Sequence, residues 1–294
     1  MQVLYTYLFK NIRRCPKMCD ISMGDITKRL VLDYMHARVT QDGAAPATAN
    51  REMAMIKCML SRAVEWDLLS HNPLSGLKTL REAEKRDVDL SFEQTTALIR
   101  VLSEPIASIV EFAIYTGFRK ENILSLKVEQ VRFHDLTPTG EIELVVKGGR
   151  REIFPISPAA VEVIKRNICN RKKGFVFINP ETGTRVHTIQ KSFNSAVCWL
   201  GLTVNGTKFR FHDLRHLHAT WLHKAGVSLD IVRVLLDHRD ISTKDRYVSY
   251  DRLSYGGALS AIPTLSATNE KRVQSSLNTE PVRGDIGKKW QALG

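Results

Sequence analysis

Apolar residues recur at helical spacing along most of this chain, and one short central stretch switches to strand-like alternation. Between Asp25 and Arg38 an apolar stripe runs through Ile26, Leu30, Tyr34 and Ala37, with basic residues in between, until Gly43 to Pro46 breaks the pattern. Ala47 to Asp67 then reads as one long amphipathic helix, with Met53, Ile56, Leu60, Ala63 and Val64 on one side and Arg51, Lys57 and Arg62 on the other. Asn72-Pro73 closes this helical region, and Lys78 to Asp89, with Arg81, Lys85 and Arg86 among acids, has the polarity of a connector. Ser91 opens the next helix with Gln94 as its capping-box partner, and Leu98 to Tyr115 continues at helical spacing. Glu141 to Val146 and Glu152 to Ile156 read as strands either side of Lys147-Gly148-Gly149-Arg150, a hairpin signature. Helix is predicted over Pro158 to Asn167, Ile189 to Leu200, Leu214 to Ala225, Leu229 to Leu236 and Lys244 to Arg252, and a brief strand over Phe175 to Ile178.

The expected fold is therefore mostly α with a small antiparallel β-sheet. A helical N-terminal domain covers 1–77, a linker 78–89, a mixed α/β domain 90–262 and a polar tail 263–294, where apolar periodicity is lost. A chain of 294 residues is long enough for two cores, and 43% hydrophobic content marks it as globular.

Charge narrows the choice of partner. The formal net charge is +12 and the sequence pI about 9.6, which favours a polyanion: DNA, RNA or an acidic membrane. No apolar run is long enough to span a bilayer. Met1 to Phe9 lacks the basic start and small-residue cleavage site of a signal peptide, so no membrane partner is expected. Cys15, Cys19, Cys58, Cys169 and Cys198 are odd in number and irregular in spacing, which points to a reduced cytoplasmic setting with idle thiols.

The chemistry-bearing residues are scattered. Arg119 lies in Thr116-Gly117-Phe118-Arg119, and His212-Asp213-Leu214-Arg215-His216 is followed by His238 and then Tyr247. Guanidinium forks match phosphate oxygens bidentately, and a phenol can attack phosphorus and hold it covalently. Breaking a DNA strand in this way needs fixed cations around the five-coordinate phosphate, an in-line nucleophile and a proton for the departing 5′ oxygen. Arg119 and Arg215 supply the first and Tyr247 the second, with His212 and His238 at hand to activate a phenol that is ordinarily protonated. Lys147, between a strand and two glycines, can reach into a groove as proton donor. Tyr250 and Tyr255 are rival nucleophiles, but spacing from His238 selects Tyr247. His212, His216, His218 and His223 invite a zinc reading, which the absence of a His-Glu-x-x-His core and the interposed Arg215 disfavour.

Taken together, the Thr116–Arg119 box, the His212–His216 box with Ala219-Thr220, and Leu235-Leu236-Asp237-His238 with Tyr247 resemble the tyrosine recombinase (phage integrase) family over roughly Asp89 to Ile262. Thr48-Ala49-Asn50-Arg51 and Asn72-Pro73 resemble that family's helical core-binding (SAM-like) domain. The resemblance implies a DNA breaking-rejoining fold and a C-shaped clamp on duplex DNA. Arg119 and Arg215 would clamp the phosphate, Lys147 act as general acid, and His212 and His238 contact phosphate oxygens. Tyr247 would form a 3′-phosphotyrosyl link that keeps the bond energy, so no ATP, metal or other cofactor is implied.

The implied function is site-specific recombination that integrates or excises a phage or other mobile element. Its implied partners are double-stranded DNA attachment sites, a homotetramer of this chain on DNA and an accessory DNA-bending protein. Arg51, Lys57, Arg62, Arg150 and Arg151 are the candidate DNA contacts outside the catalytic set. The chain departs from the family pattern at Asn122, where an acid is common, at Val128, where tryptophan is, and at Asp237, where glycine is. Two alternatives remain: a type IB topoisomerase-like relaxing enzyme, and a catalytically silent DNA-binding protein of the same fold. The second would have lost the tyrosine or an arginine, and both are retained.

Overall fold

The computed structural model describes residues 2–82, 87–145 and 149–236, together with 258, 262, 263 and 265. The chain divides into two compact units, Met1–Lys85 and Arg86–Gly294.

The first unit is helical: α1 (Gln2–Arg13), α2 (Pro16–Cys19), a 3-10 turn (Met23–Asp25), α3 (Lys28–Thr40) and α4 (Pro46–Glu65). Thr27 caps α3 by accepting a 3.2 Å hydrogen bond from the Leu30 N–H, and Pro46 begins α4 where a missing N–H costs nothing. Met53, Ile56, Leu60 and Ala63 of α4 are buried as their spacing predicts, against Ile12, Val31, Tyr34 and Met35. On α3 the buried residues are Val31, Tyr34 and Met35; Leu30 and Ala37 are only half-buried, so the inward face is rotated from the expected stripe. The apolar opening of the chain is helix α1, whose Leu8 and Ile12 are buried.

A polar network lies inside this core. The Glu52 carboxylate is fully buried and accepts hydrogen bonds from Asn11 Nδ2 (3.0 Å), Tyr34 Oη (2.8 Å) and the Arg38 fork, Nε at 2.9 Å and Nη2 at 3.0 Å. Burial and the bond to Glu52 push the Tyr34 phenol up, and Glu52 likewise raises Arg38. Two asparagines tie down the chain beyond α4. The Asn50 amide donates to the Leu80 carbonyl (2.9 Å) and accepts from its N–H (2.8 Å), while Asn72 Nδ2 donates to the Lys57 carbonyl (2.9 Å).

The second unit opens with α5 (Phe92–Val101), where the expected capping box is present: Ser91 Oγ accepts from the Gln94 N–H at 3.2 Å and Gln94 Oε1 from the Ser91 N–H at 3.0 Å. The single helix expected over Leu98 to Tyr115 is two, because α6 begins only at Ile106 (Ile106–Thr116). Pro105 cannot donate into a helix and disfavours helical geometry at Glu104. Helix α6 is buried from Ala107 to Thr116 and packs against α5 and against the later helices Pro158–Ile168 and Asp213–Lys224. Its one acid, Glu111, is paired inside with Arg166 Nη2 at 2.6 Å.

Next come α7 (Lys120–Leu124), β1 (Val131–Phe133), β2 (Gly140–Val145), β3 (Arg151–Ile156), α8 (Pro158–Ile168) and α9 (Gln190–Trp199). The sheet is antiparallel in the order β1-β2-β3, with Ile142 opposite Phe154 and Val145 opposite Arg151. Ile142, Leu144, Phe154 and Ile156 are buried on its inner face. Phe175 to Ile178 is not a strand; Phe175 and Ile178 each make one isolated bridge, to Lys127 and Arg185. A second hairpin, β4 (Thr203–Val204) and β5 (Thr207–Lys208), turns on Asn205-Gly206, both left-handed. Helices α10 (Asp213–Lys224) and α11 (Leu229–Leu235) complete the described elements. The expected helix over Lys244 to Arg252 lies outside the described residues. Ala258, Ile262 and Leu265 are buried in this unit's own core, where the Leu265 N–H donates to Tyr115 Oη at 2.7 Å.

Candidate active site

Two segments build the site, and each is held in place by buried phenylalanines. Helix α6 ends at Gly117, which is left-handed (φ 61°, ψ 14°) and donates its N–H to the Ala113 carbonyl. The chain then passes through buried Phe118, edge-on to Phe112 and Phe154, and emerges with Arg119 exposed as the residue before α7.

The second segment enters over Phe209 and Phe211, both packed on Phe193. Asp213 is buried, and its carboxylate accepts from the Arg210 N–H at 2.7 Å, which tightens the turn into α10. One turn into the helix, Arg215 is buried at 5% exposure. Its Nη1 donates to the Gly117 carbonyl at 2.8 Å and its Nη2 to the Leu236 carbonyl. The guanidinium thus joins the end of α6, α10 and the end of α11.

Gly117 is required for this convergence. A Cβ there would lie 2.5 Å from Leu236 Cδ2 and 2.8 Å from His218 Cδ2, in a backbone conformation that side chains resist. His218, fully buried beneath it, donates from Nδ1 to the Ile114 carbonyl across 2.8 Å, which makes Nε2 the bare ring nitrogen; among the described residues Nε2 has no hydrogen-bond partner. Burial pulls the His218 pKa down to about 4, so the ring is neutral.

His212 shows that the two segments meet electrostatically. Its pKa is lowered, first by partial desolvation, then by His216 and Arg215, with Arg119 adding and Asp213 opposing. The residue is exposed, yet one side of the ring is packed closely enough for desolvation to come first. His216 stands edge-on to it with ring centres 5.3 Å apart. Arg119, His212 and Arg215 therefore share one field, in which a neutral imidazole can accept a proton and the cations favour an anion.

His212 and Arg215 border a cleft of about 360 Å³ that is also lined by Phe118, Lys120, Gln190, Arg210 and Phe211. Lys120, Gln190 and Arg210 were not singled out from the sequence, although Lys120 follows Arg119 directly and Arg210 precedes His212 by two. Of the other expected catalytic residues, Lys147, His238 and Tyr247 lie outside the described residues, as does Asp237. Asn122 sits within α7 and Val128 is buried.

The expected DNA contacts are distributed over both units. Arg51 and Arg62 are exposed on α4 and, eleven residues apart, fall on nearly one line, whereas half-buried Lys57 is turned about 120° from Arg51. Arg62 pairs with Glu65 at 2.5 Å, Arg151 with Glu143 at 3.1 Å and Arg150 with Glu152 at 3.9 Å. Among the described residues, no group of three or more His, Cys, Asp or Glu side chains is placed to hold a metal ion. No described helix is long and apolar enough to cross a membrane.

A family model described as the phage integrase family matches residues 89–252. The integrase of Salmonella phage P22 is 31% identical over 69% of this chain, and the matched region spans 54% of that relative's length. Tyrosine recombinase XerC of Proteus mirabilis is 24% identical over 75% of this chain and 75% of its own. Among solved structures, a lambda integrase tetramer bound to a Holliday junction aligns with a TM-score of 0.60 at 19% identity, covering 85% of this chain and 73% of that one.

Proposed function

The chain belongs to the phage integrase family of tyrosine-type site-specific DNA recombinases, and from that premise we propose that it cuts and rejoins DNA through a 3′-phosphotyrosyl intermediate. The observation that carries the reading is the field that Arg119 and Arg215 share at His212, with His212 and Arg215 lining one cleft. A backbone phosphate there would meet cations fixed before the reaction, which is where charge stabilisation is most effective. The Tyr247 oxygen would attack phosphorus in line, the P–O bond to the 5′ oxygen would break, and that oxygen would take up a proton from Lys147. His212, neutral at the start, would accept or relay the phenolic proton, and His238 would donate to a phosphate oxygen. Attack by a 5′ hydroxyl from a second strand reverses each step and releases the tyrosine. No bond energy is lost, so no cofactor enters the scheme.

The natural substrates in this reading are two double-stranded DNA attachment sites, brought together by four copies of this chain. The tetrameric lambda integrase on a Holliday junction supports that assembly, and the P22 phage relative supports a role in moving a phage or similar element. Arg51, Lys57, Arg62, Arg150 and Arg151 would hold backbone phosphates outside the cleft.

A nicked suicide substrate tests the reaction. Wild type should accumulate a covalent protein–DNA adduct, and Tyr247→Phe should abolish it while duplex binding persists. An adduct that survives Tyr247→Phe would overturn the assignment. Exchange between two plasmid-borne sites separates recombination from simple relaxation of supercoils, and EDTA should leave both readouts unchanged.

A further inference from the structure

Resting on the reading above, we propose that Lys120 and Arg210 form a second phosphate contact in the cleft, on the DNA backbone next to the phosphate gripped by Arg119, His212 and Arg215. Among its described lining residues three are cations, Lys120, Arg210 and Arg215, and none is a carboxylate. At about 360 Å³ it is far roomier than one tetrahedral phosphate requires. A chain of phosphodiesters entering it would present a neighbouring phosphate to whatever lies beside the central group.

Lys120 and Arg210 occupy that flanking position from both segments. Lys120 is the first residue of α7, directly after Arg119, and Arg210 is two residues before His212. The backbone of Arg210 is pinned by its N–H bond to buried Asp213, so its side chain departs from a fixed point. Both charges are available at little cost. Lys120 lies 3.8 Å from Glu121, an acid with 70% side-chain exposure that is also 3.6 Å from Arg185, and such a solvent-screened pair is weak. Arg210 is exposed. Its planar fork suits two phosphate oxygens, while Lys120 acts as a point charge. Gln190, lining the cleft as well, is bound through Nε2 to Asn194 at 2.8 Å and adds no charge.

The test is the salt dependence of binding, read in a Tyr247→Phe background so that cleavage does not intervene. The probe is a short fluorescent DNA duplex of arbitrary sequence, titrated between about 50 and 200 mM salt. Lys120→Gln and Arg210→Gln should each lower the slope of log affinity against log salt by about 0.9, and the double variant by about 1.8. Lys120→Arg should restore the full slope. Lys172→Gln, which removes an exposed cation that does not line the cleft, should leave the slope unchanged. Wild-type slopes for Lys120→Gln and Arg210→Gln would overturn the proposal, as would an equal fall with Lys172→Gln. Normal suicide-substrate adducts with unchanged, wild-type slopes for the variants would sink this contact alone. Lowered slopes without any adduct from wild type would keep the contact and sink the recombinase chemistry.

Discussion

Arg38, half-buried in the helical unit, and Arg215, buried in the second, differ in the partners described for them. In the helical unit, Arg38 meets the fully buried carboxylate of Glu52 and exposed Asp42, so its charge is neutralised where it sits. In the second unit, the bonds from Arg215 to Gly117 and Leu236 go to neutral carbonyl oxygens, and the neighbouring cleft has no acid in its described lining. Buried charge costs several kcal/mol to desolvate, and a carboxylate partner offsets that cost most directly. The first arrangement joins α3 to α4 within one unit, and the second ties the ends of α6 and α11 to α10 beside a cleft.

The sharpest way to break the contrast is Glu52→Ala, which leaves the Arg38 guanidinium without its buried partner. Stability should fall by about 3–5 kcal/mol, seen as a lower urea midpoint of the full chain. A loss below 1 kcal/mol would show that the network is not what neutralises Arg38. Arg215→Lys keeps the charge but not the fork, and the rate of adduct formation should drop by about 10²–10³-fold, as for removal of one preorganised donor. A near-normal rate would place the phosphate elsewhere.

A third effect concerns pH. His218 has a folded pKa of about 4, below its ordinary 6.5, so the unfolded chain binds its proton more readily. The stability this contributes is complete above pH 6.5 and is lost as the pH falls toward 4, a change of about 3 kcal/mol. His218→Asn, which can still donate to the Ile114 carbonyl, should flatten that dependence; parallel curves for the two proteins would refute it. Gly117→Ala comes next. It meets Leu236 and His218 within 3 Å and should cost about 1–3 kcal/mol, with a parallel loss of adduct because the Arg215 acceptor moves. The smallest effect is expected for Arg62→Gln, whose exposed pair with Glu65 should alter the thermal midpoint by less than the equivalent of about 1 kcal/mol.

What could be read from residues alone follows the range over which each signal acts. The capping box at Ser91 and Gln94 and the apolar face of α4 are local, and both appear as their spacing predicts. Two local signals were missed: Pro105, which divides the expected helix, and Asn205-Gly206, which makes a second hairpin. Glu52 read as an ordinary helical acid, because its partners stand 14, 18 and 41 residues away. Arg215 and Gly117 are 98 residues apart, and each drew attention through its motif while the bond between them had no sequence signature. His218 gave no sign of being the buried floor under Gly117, since one histidine beside three others looks the same in any of these roles. Lys120 and Arg210 were overlooked as plain cations next to better-marked neighbours.

The central claim is that Tyr247 is the group that becomes joined to DNA, and mass spectrometry of the trapped adduct tests it most directly. Trypsin should release a peptide over 247–252 that carries both Tyr247 and Tyr250, so fragment ions must locate the nucleotide. The account predicts a 3′-phosphoryl nucleotide on Tyr247. The same mass on Tyr250, or on a peptide from elsewhere in the chain, would contradict it.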